Sequence, residues 1–277
     1  MKHIAIHIFI ALALFLLLSC ERPYPCEEPK LVIEGWIENG ENPVVMVSLS
    51  GTMQNVGTPL SEFVANWSKV TINDGEKDYV LVGMKDTKYM PAYVFRSYEL
   101  EGEVGRTYKL KVEYKDMVAT AQTTILPPTA IDSVVVAPAI DCDSLYTIDV
   151  HFTSPTNEAD YYYLRYKNYP QDGRYFLSFM GSQEITGSMP DVIRLVPATI
   201  SDTEGYSPYF AHGATVDVRL SRIGQEAYNV LVDYDEAIAF SYNMFIQSQH
   251  SLRSNIVGGY GYWIGYGITS QRVYVTP

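Results

Sequence analysis

The chain has 277 residues, 47% hydrophobic and 19% charged, with a formal net charge of −12. That balance is too apolar for a disordered chain and too hydrophilic for a membrane helix bundle, and the length suffices for two domains of about 100–200 residues each. The acidic excess argues against nucleic acid as a partner and against a basic patch that grips anionic lipid.

Residues 1–19 read as a lipoprotein signal peptide. Lys2 supplies a positive start, Ile4 to Leu18 is apolar apart from His7, and Leu17-Leu18-Ser19-Cys20 closes the run with a small residue just before a cysteine. An apolar run of about 15 residues is short for a membrane span of roughly 20. Cys20 is therefore the expected lipidation site, and the partner it implies is a membrane reached through the N-terminal lipid. Removing Lys2 takes the charge from −12 to −13. Of the three cysteines, Cys26 and Cys142 remain as a candidate disulfide in an oxidising compartment, and their spacing leaves the pairing open.

Residues 20–29 are rich in proline and glutamate and read as a tether. From Lys30 the period becomes two. Leu31, Ile33 and Ile37 alternate with Glu34, Trp36 and Glu38, and Asn39 to Pro43 turns the chain into Val44 to Leu49. Further strands are predicted at Lys69 to Asn73, Tyr79 to Gly83, Tyr93 to Leu100, Thr107 to Tyr114 and Met117 to Thr124, with a loop from Gly51 to Trp67. About seven short strands broken by turn signals predict an immunoglobulin-like β-sandwich over 30–126.

Leu126-Pro127-Pro128 ends that unit, since proline cannot continue a ladder. A second β-sandwich is predicted over 129–277, from strands at Ile131 to Ala137, Tyr146 to Thr153, Tyr161 to Lys167, Tyr175 to Met180 and Thr215 to Leu220. Consecutive tyrosines in a strand point to opposite faces, so Tyr161 and Tyr163 share one face and Tyr162 takes the other. Gly181 to Gly213 lacks periodicity and reads as a long surface excursion, a usual place for binding residues. Ser221 offers an N-cap for one helix at about 222–245, in which Ile223, Ala227, Val230 or Leu231, Tyr234 and Ile238 recur at helical spacing. Two strands close the chain, Tyr260 to Gly267 and Ser270 to Val275. The fold class is thus mainly β, two sandwiches with one long helix near the end.

Three stretches carry a family resemblance: Pro29 to Ile37, Gly105 to Leu110 with Thr123 to Pro128, and Ser254 to Gly259 with Val273-Tyr274-Val275. Together they resemble the Bacteroidetes lipoproteins grouped as domain-of-unknown-function family 4249. The resemblance implies an outer-membrane setting beside SusC-like TonB-dependent transporters and SusD-like lipoproteins, which become expected protein partners. It supplies no catalytic residues.

Glycine spacings in Gly258 to Gly267 do not make a phosphate loop, because a strand follows where a helix should open. Glycines that let strands bend beneath large rings are the favoured reading of this stretch, and an exposed aromatic platform of Tyr260, Tyr262 and Trp263 is the functional one. Tyr206, Tyr209 and Phe210 in the long excursion are the other candidate ligand-binding aromatics, for a glycan or a peptide, since tyrosine and tryptophan join flat apolar area to a polar handle. No metal is expected: Asp141, Asp143 and His151 form the best acidic cluster without a metal-ligand spacing. His151, His212 and His250 lie in no nucleophile motif, so no enzyme activity and no cofactor are expected. The expected function is a non-catalytic accessory or ligand-binding component of nutrient import at the outer membrane. The rivals are an envelope assembly protein that binds only proteins, or a hydrolase with an unrecognised site.

Overall fold

The computed structural model describes residues 28–51, 57–140, 142–154, 160–182, 192–196, 209–241 and 252–276. Its elements in chain order are β1 (Leu31–Glu38), β2 (Val44–Leu49), β3 (Lys69–Asn73), β4 (Asp78–Val80), β5 (Val82–Met84), β6 (Val94–Arg96), β7 (Thr107–Tyr114) and β8 (Met117–Thr124). The second half adds β9 (Ser133–Ala139), β10 (Cys142–His151), β11 (Tyr161–Tyr169), β12 (Phe176–Ser182), β13 (Val192–Arg194), β14 (Phe210–Ala211), β15 (Thr215–Ile223), helix α1 (Gln225–Ser241) and β16 (Gly259–Tyr274). A short 3-10 turn, Leu60–Phe63, lies inside the expected loop.

One eight-stranded sheet, in the order β12-β11-β15-β16-β1-β2-β6-β5, runs through both halves of the chain. Two four-stranded sheets cover one face of it: β4-β3-β7-β8 lies under the first half, and β13-β10-β14 with β9 under the second. The first core holds Leu31, Ile33, Ile37, Ile72, Tyr108 and Leu110, and the second holds Ile148, Tyr162, Leu164, Val216, Val218 and Leu220. Apolar residues at every second position force this packing, because each sheet has one face to hide. The alternation read in β1 and the split of Tyr161 and Tyr163 from Tyr162 both hold: Tyr162 enters the second core, while Tyr161 and Tyr163 face the opposite way, toward the helix.

The close of the chain departs from expectation. The two final strands are one 16-residue strand. Its first half runs parallel to β1, from Leu31 opposite Gly259 to Glu38 opposite Tyr266, and its second half pairs antiparallel with β15. Residues 259–266 therefore complete the first sandwich, and the unit expected over 129–277 gives them up. Trp263, a candidate for the alternative reading of an exposed platform, is 0% exposed in the first core, and its indole Nε1–H donates to the Tyr108 carbonyl at 3.0 Å. Asn255 pins the strand by accepting from the Trp263 amide at 2.9 Å and donating to its carbonyl at 2.8 Å. Close backbone approach sets one glycine here, since a Cβ on Gly265 would lie 2.7 Å from the Thr124 carbonyl oxygen.

Two further expectations are corrected. Ser221 is not an N-cap; it is buried within β15, which runs on to Ile223 before α1 begins at Gln225. The described parts of the long excursion are not all surface: Ile193, Leu195 and Phe210 belong to the second core. Phe210, 3% exposed, fills that core because β14 adds to the edge of β10. Helix α1 lays Ala227, Tyr228 and Leu231 on the outer face of the long sheet, against Ile264 and Tyr266, so it straddles the junction of the sandwiches.

Candidate ligand-binding cleft

The residues that alternate with the β1 core positions do not face open water. Glu34, Trp36 and Glu38 stand opposite Tyr262, Ile264 and Tyr266 of β16, so the parallel register places two rows of large side chains side by side on the outer face. Next along the sheet, Arg219 of β15 lies directly opposite Arg165 of β11. With Tyr89 and Met90 from the β5–β6 connection and Tyr175 just before β12, these residues, Ile264 excepted, line a cleft of about 530 Å³. Both sandwiches contribute walls to it.

Two like charges in register across neighbouring strands repel, and a counter-ion must meet them. Glu38, buried, supplies it. Arg165 Nη2 donates to Oε1 at 3.1 Å, and Arg219 Nη1 donates to Oε2. Aromatic faces hold the guanidinium groups from the other side, with Arg219 4.4 Å from the Tyr175 ring centre and Arg165 4.7 Å from that of Tyr266. At the far wall Arg96 Nη2 donates to the Tyr89 hydroxyl at 2.9 Å and reaches Asp86 at 3.5 Å, while Tyr89 and Trp36 pack ring on ring at 5.8 Å. The Nε–H groups of Arg96, Arg165 and Arg219 are buried without an acceptor among the described residues.

Burial governs the titratable groups. It pushes the Glu34 carboxyl above the usual carboxylate range, opposed by a hydrogen bond from the Tyr262 hydroxyl at 3.5 Å. It also raises Tyr262 and Tyr266 well above the usual phenol range, so both remain neutral donors at any physiological pH. Such a surface offers flat apolar faces, hydroxyl donors and fixed cations, which is the equipment of a binding site.

Of the aromatics expected at a site, only Tyr262 lines this cleft among the described residues. Tyr260 is 41% exposed and accepts from Lys30 Nζ at 2.9 Å outside it, and Tyr209 sits half-buried beside β14. Tyr206, Cys20 and Cys26 lie outside the described residues, as do Asp141 and His250, while the backbone of Cys142 opens β10. Among the described residues, no group of three or more His, Cys, Asp or Glu could hold a metal ion, and no helix is long and apolar enough to cross a membrane. A second concavity of about 580 Å³, on the outer face of β7 and β8, is lined mainly by short polar and lysine side chains and has no aromatic ring.

The fold and cleft define a class: a mainly β chain of stacked sandwiches, one sheet of which bridges both and carries the cleft on its outer face. The chain belongs to the family described as domain of unknown function (DUF4249), whose model matches residues 20–272. No curated protein matches it. Among solved structures it is similar to a two fibronectin type-III domain segment from chicken tenascin, at 11% identity and a TM-score of 0.23, covering 71% of this chain and 91% of that one. It is also similar to the apo structure of Bacteroides uniformis beta-glucuronidase 3, at 10% identity and a TM-score of 0.23, covering 69% of this chain and 23% of that one. Likenesses that loose carry no argument about fold or activity.

Proposed function

We propose that this chain is a non-catalytic, lipid-anchored outer-membrane protein that captures a ligand in the cleft as an accessory or ligand-binding component of a TonB-dependent, SusCD-like nutrient import system. The observation that carries the binding role is the cleft itself, in which rings and guanidinium groups from five strands converge on one concave face. Both oxygens of Glu38 are engaged by arginine, which suits a structural counter-ion better than an acid or base in turnover. Support for the anchor comes from the lipobox ending at Cys20 and from a family match that starts at that residue.

Screening detergent-solubilised protein against glycan and peptide panels tests the binding role, and retention on at least one panel is the expected result. Failure to bind either panel would overturn it. Copurification of a β-barrel transporter with the tagged protein in mild detergent tests the import role. Cys20→Ala should shift the protein from membrane to soluble fraction, and unchanged membrane retention would contradict lipidation. A purely protein-binding envelope role draws on Trp67, 87% exposed, and Met90, 79% exposed. Barrel copurification with no ligand retained on either panel would favour that second reading.

A further inference from the structure

Building on the binding role proposed above, we propose that the cleft's ligand is an acidic oligosaccharide, with a carboxylate on the sugar meeting Arg165 and Arg219 while the sugar rings lie on Tyr175 and the Trp36–Tyr89 wall. In a chain of net charge −12, the cleft is lined by five cations and three carboxylates, the reverse of the overall balance. Glu38 serves two guanidinium groups at once, so its single negative charge is shared between Arg165 and Arg219. Glu34, the second carboxylate on the same strand, is pushed by burial toward its neutral form. Arg96 has Asp86 at 3.5 Å, a long pair, and Arg219 has Glu41 only at 3.9 Å. The Arg165 and Arg219 side chains remain 14% and 21% exposed at this floor, and arginine recognises a carboxylate through its charged, forked N–H edge.

The body of the ligand follows from the walls and from the position in the sheet. Flat aromatic faces with hydroxyl edges suit pyranose rings, which present apolar C–H faces and polar rims. A peptide recognised by strand addition needs a free sheet edge. The floor strands β11, β15 and β1 are each paired on both sides, and in the first half of β16, which pairs only with β1, side chains of Ser254, Asn255 and Thr123 take backbone groups of Gly261, Trp263 and Gly265, so this floor presents no free edge of the kind strand addition uses.

The test is calorimetric titration of the detergent-solubilised full-length protein with oligogalacturonate, oligoalginate and hyaluronan oligosaccharides, each beside its carboxyl-reduced neutral counterpart, with poly-glutamate as the acidic peptide. At least one acidic sugar should bind at least 10-fold tighter than its reduced form, and its affinity should fall with added salt. Arg219→Gln and Tyr175→Ala should each weaken that affinity at least 10-fold. Unchanged thermal midpoints separate those losses from unfolding, and Tyr175 lies outside the core clusters. Equal affinity for acidic and reduced sugars, tighter binding of poly-glutamate, or silence toward all three acidic sugars would overturn the inference. In each of those cases, retention of some other glycan or peptide leaves the binding role standing.

Discussion

Replacing Trp263 tests the most consequential feature of the fold, that a strand near the C-terminus completes the core of the first sandwich. The indole is fully buried among Leu31, Ile33, Tyr108 and Leu110 and donates to the Tyr108 carbonyl. Truncating such a residue to alanine costs about 3–5 kcal/mol in transfer and cavity terms. The orphaned carbonyl adds about 1–3 kcal/mol, so Trp263→Ala is expected to lose about 4–8 kcal/mol. That is comparable to a whole domain's stability of about 5–15 kcal/mol. Trp263→Phe keeps most of the burial and loses the hydrogen bond, so it should cost about 1–3 kcal/mol. Trp67→Ala, at an exposed site, should stay within about 0.5 kcal/mol. Urea denaturation followed by circular dichroism gives the ranking, and hydrogen exchange locates the damage, which should reach β3 and β7. A loss below about 1 kcal/mol for Trp263→Ala, or exchange that rises only in β9, β10 and β15, would refute the placement of β16.

Glu34→Gln carries a pH signature. Burial raises the folded carboxyl pKa above its unfolded value, so the folded state holds the proton more tightly and the group costs stability as pH rises through that raised value. The variant should match wild type below about pH 4 and exceed it increasingly toward neutrality in thermal melts; a gap that closes with rising pH would contradict this. Asp74 has the opposite sign: amide donors from Lys77 at 2.8 Å and Glu76 at 2.9 Å hold its carboxyl below the usual range. Its contribution is present above the ordinary carboxylate value and is lost as pH falls through the lowered one, so Asp74→Asn should destabilise at pH 7 and converge on wild type in acid. Glu38→Gln removes the counter-ion that Arg165 and Arg219 share, leaving Arg219 only the exposed Glu41 at 3.9 Å, and should cost about 3 kcal/mol of stability in urea denaturation. A neutral result there would mean the arginines find another partner.

Much of the first sandwich was legible because its strands alternate cleanly. In β1, β3 and β7 the apolar positions recur every second residue, and burial follows the same phase. The same alternation hid the cleft. Glu34, Trp36 and Glu38 read only as the positions alternating with the apolar ones, and the parallel pairing of β1 with β16, which no local pattern encodes, makes that face a wall. Arg165 and Arg219 were equally invisible, because a cross-strand register between β11 and β15 decides that they meet. At Trp263 the favoured reading of the glycine-rich stretch agrees with the structure and the platform alternative does not: those glycines let the β8 backbone and the Thr124 carbonyl approach closely beside the buried ring. Tyr262, one strand position away and on the opposite face, is the expected aromatic that lines the cleft.

Hydrogen–deuterium exchange of the protein with and without the tightest-binding ligand from the glycan and peptide panels bears most directly on where binding occurs. Protection should appear in the β5–β6 connection through β6, residues 85–96, and in residues 173–176 ahead of and into β12, with the second concavity over β7 and β8 unchanged. Protection confined to β7, β8 or the edge of β10, with residues 85–96 and 173–176 untouched, would contradict a ligand site on the outer face of the shared sheet.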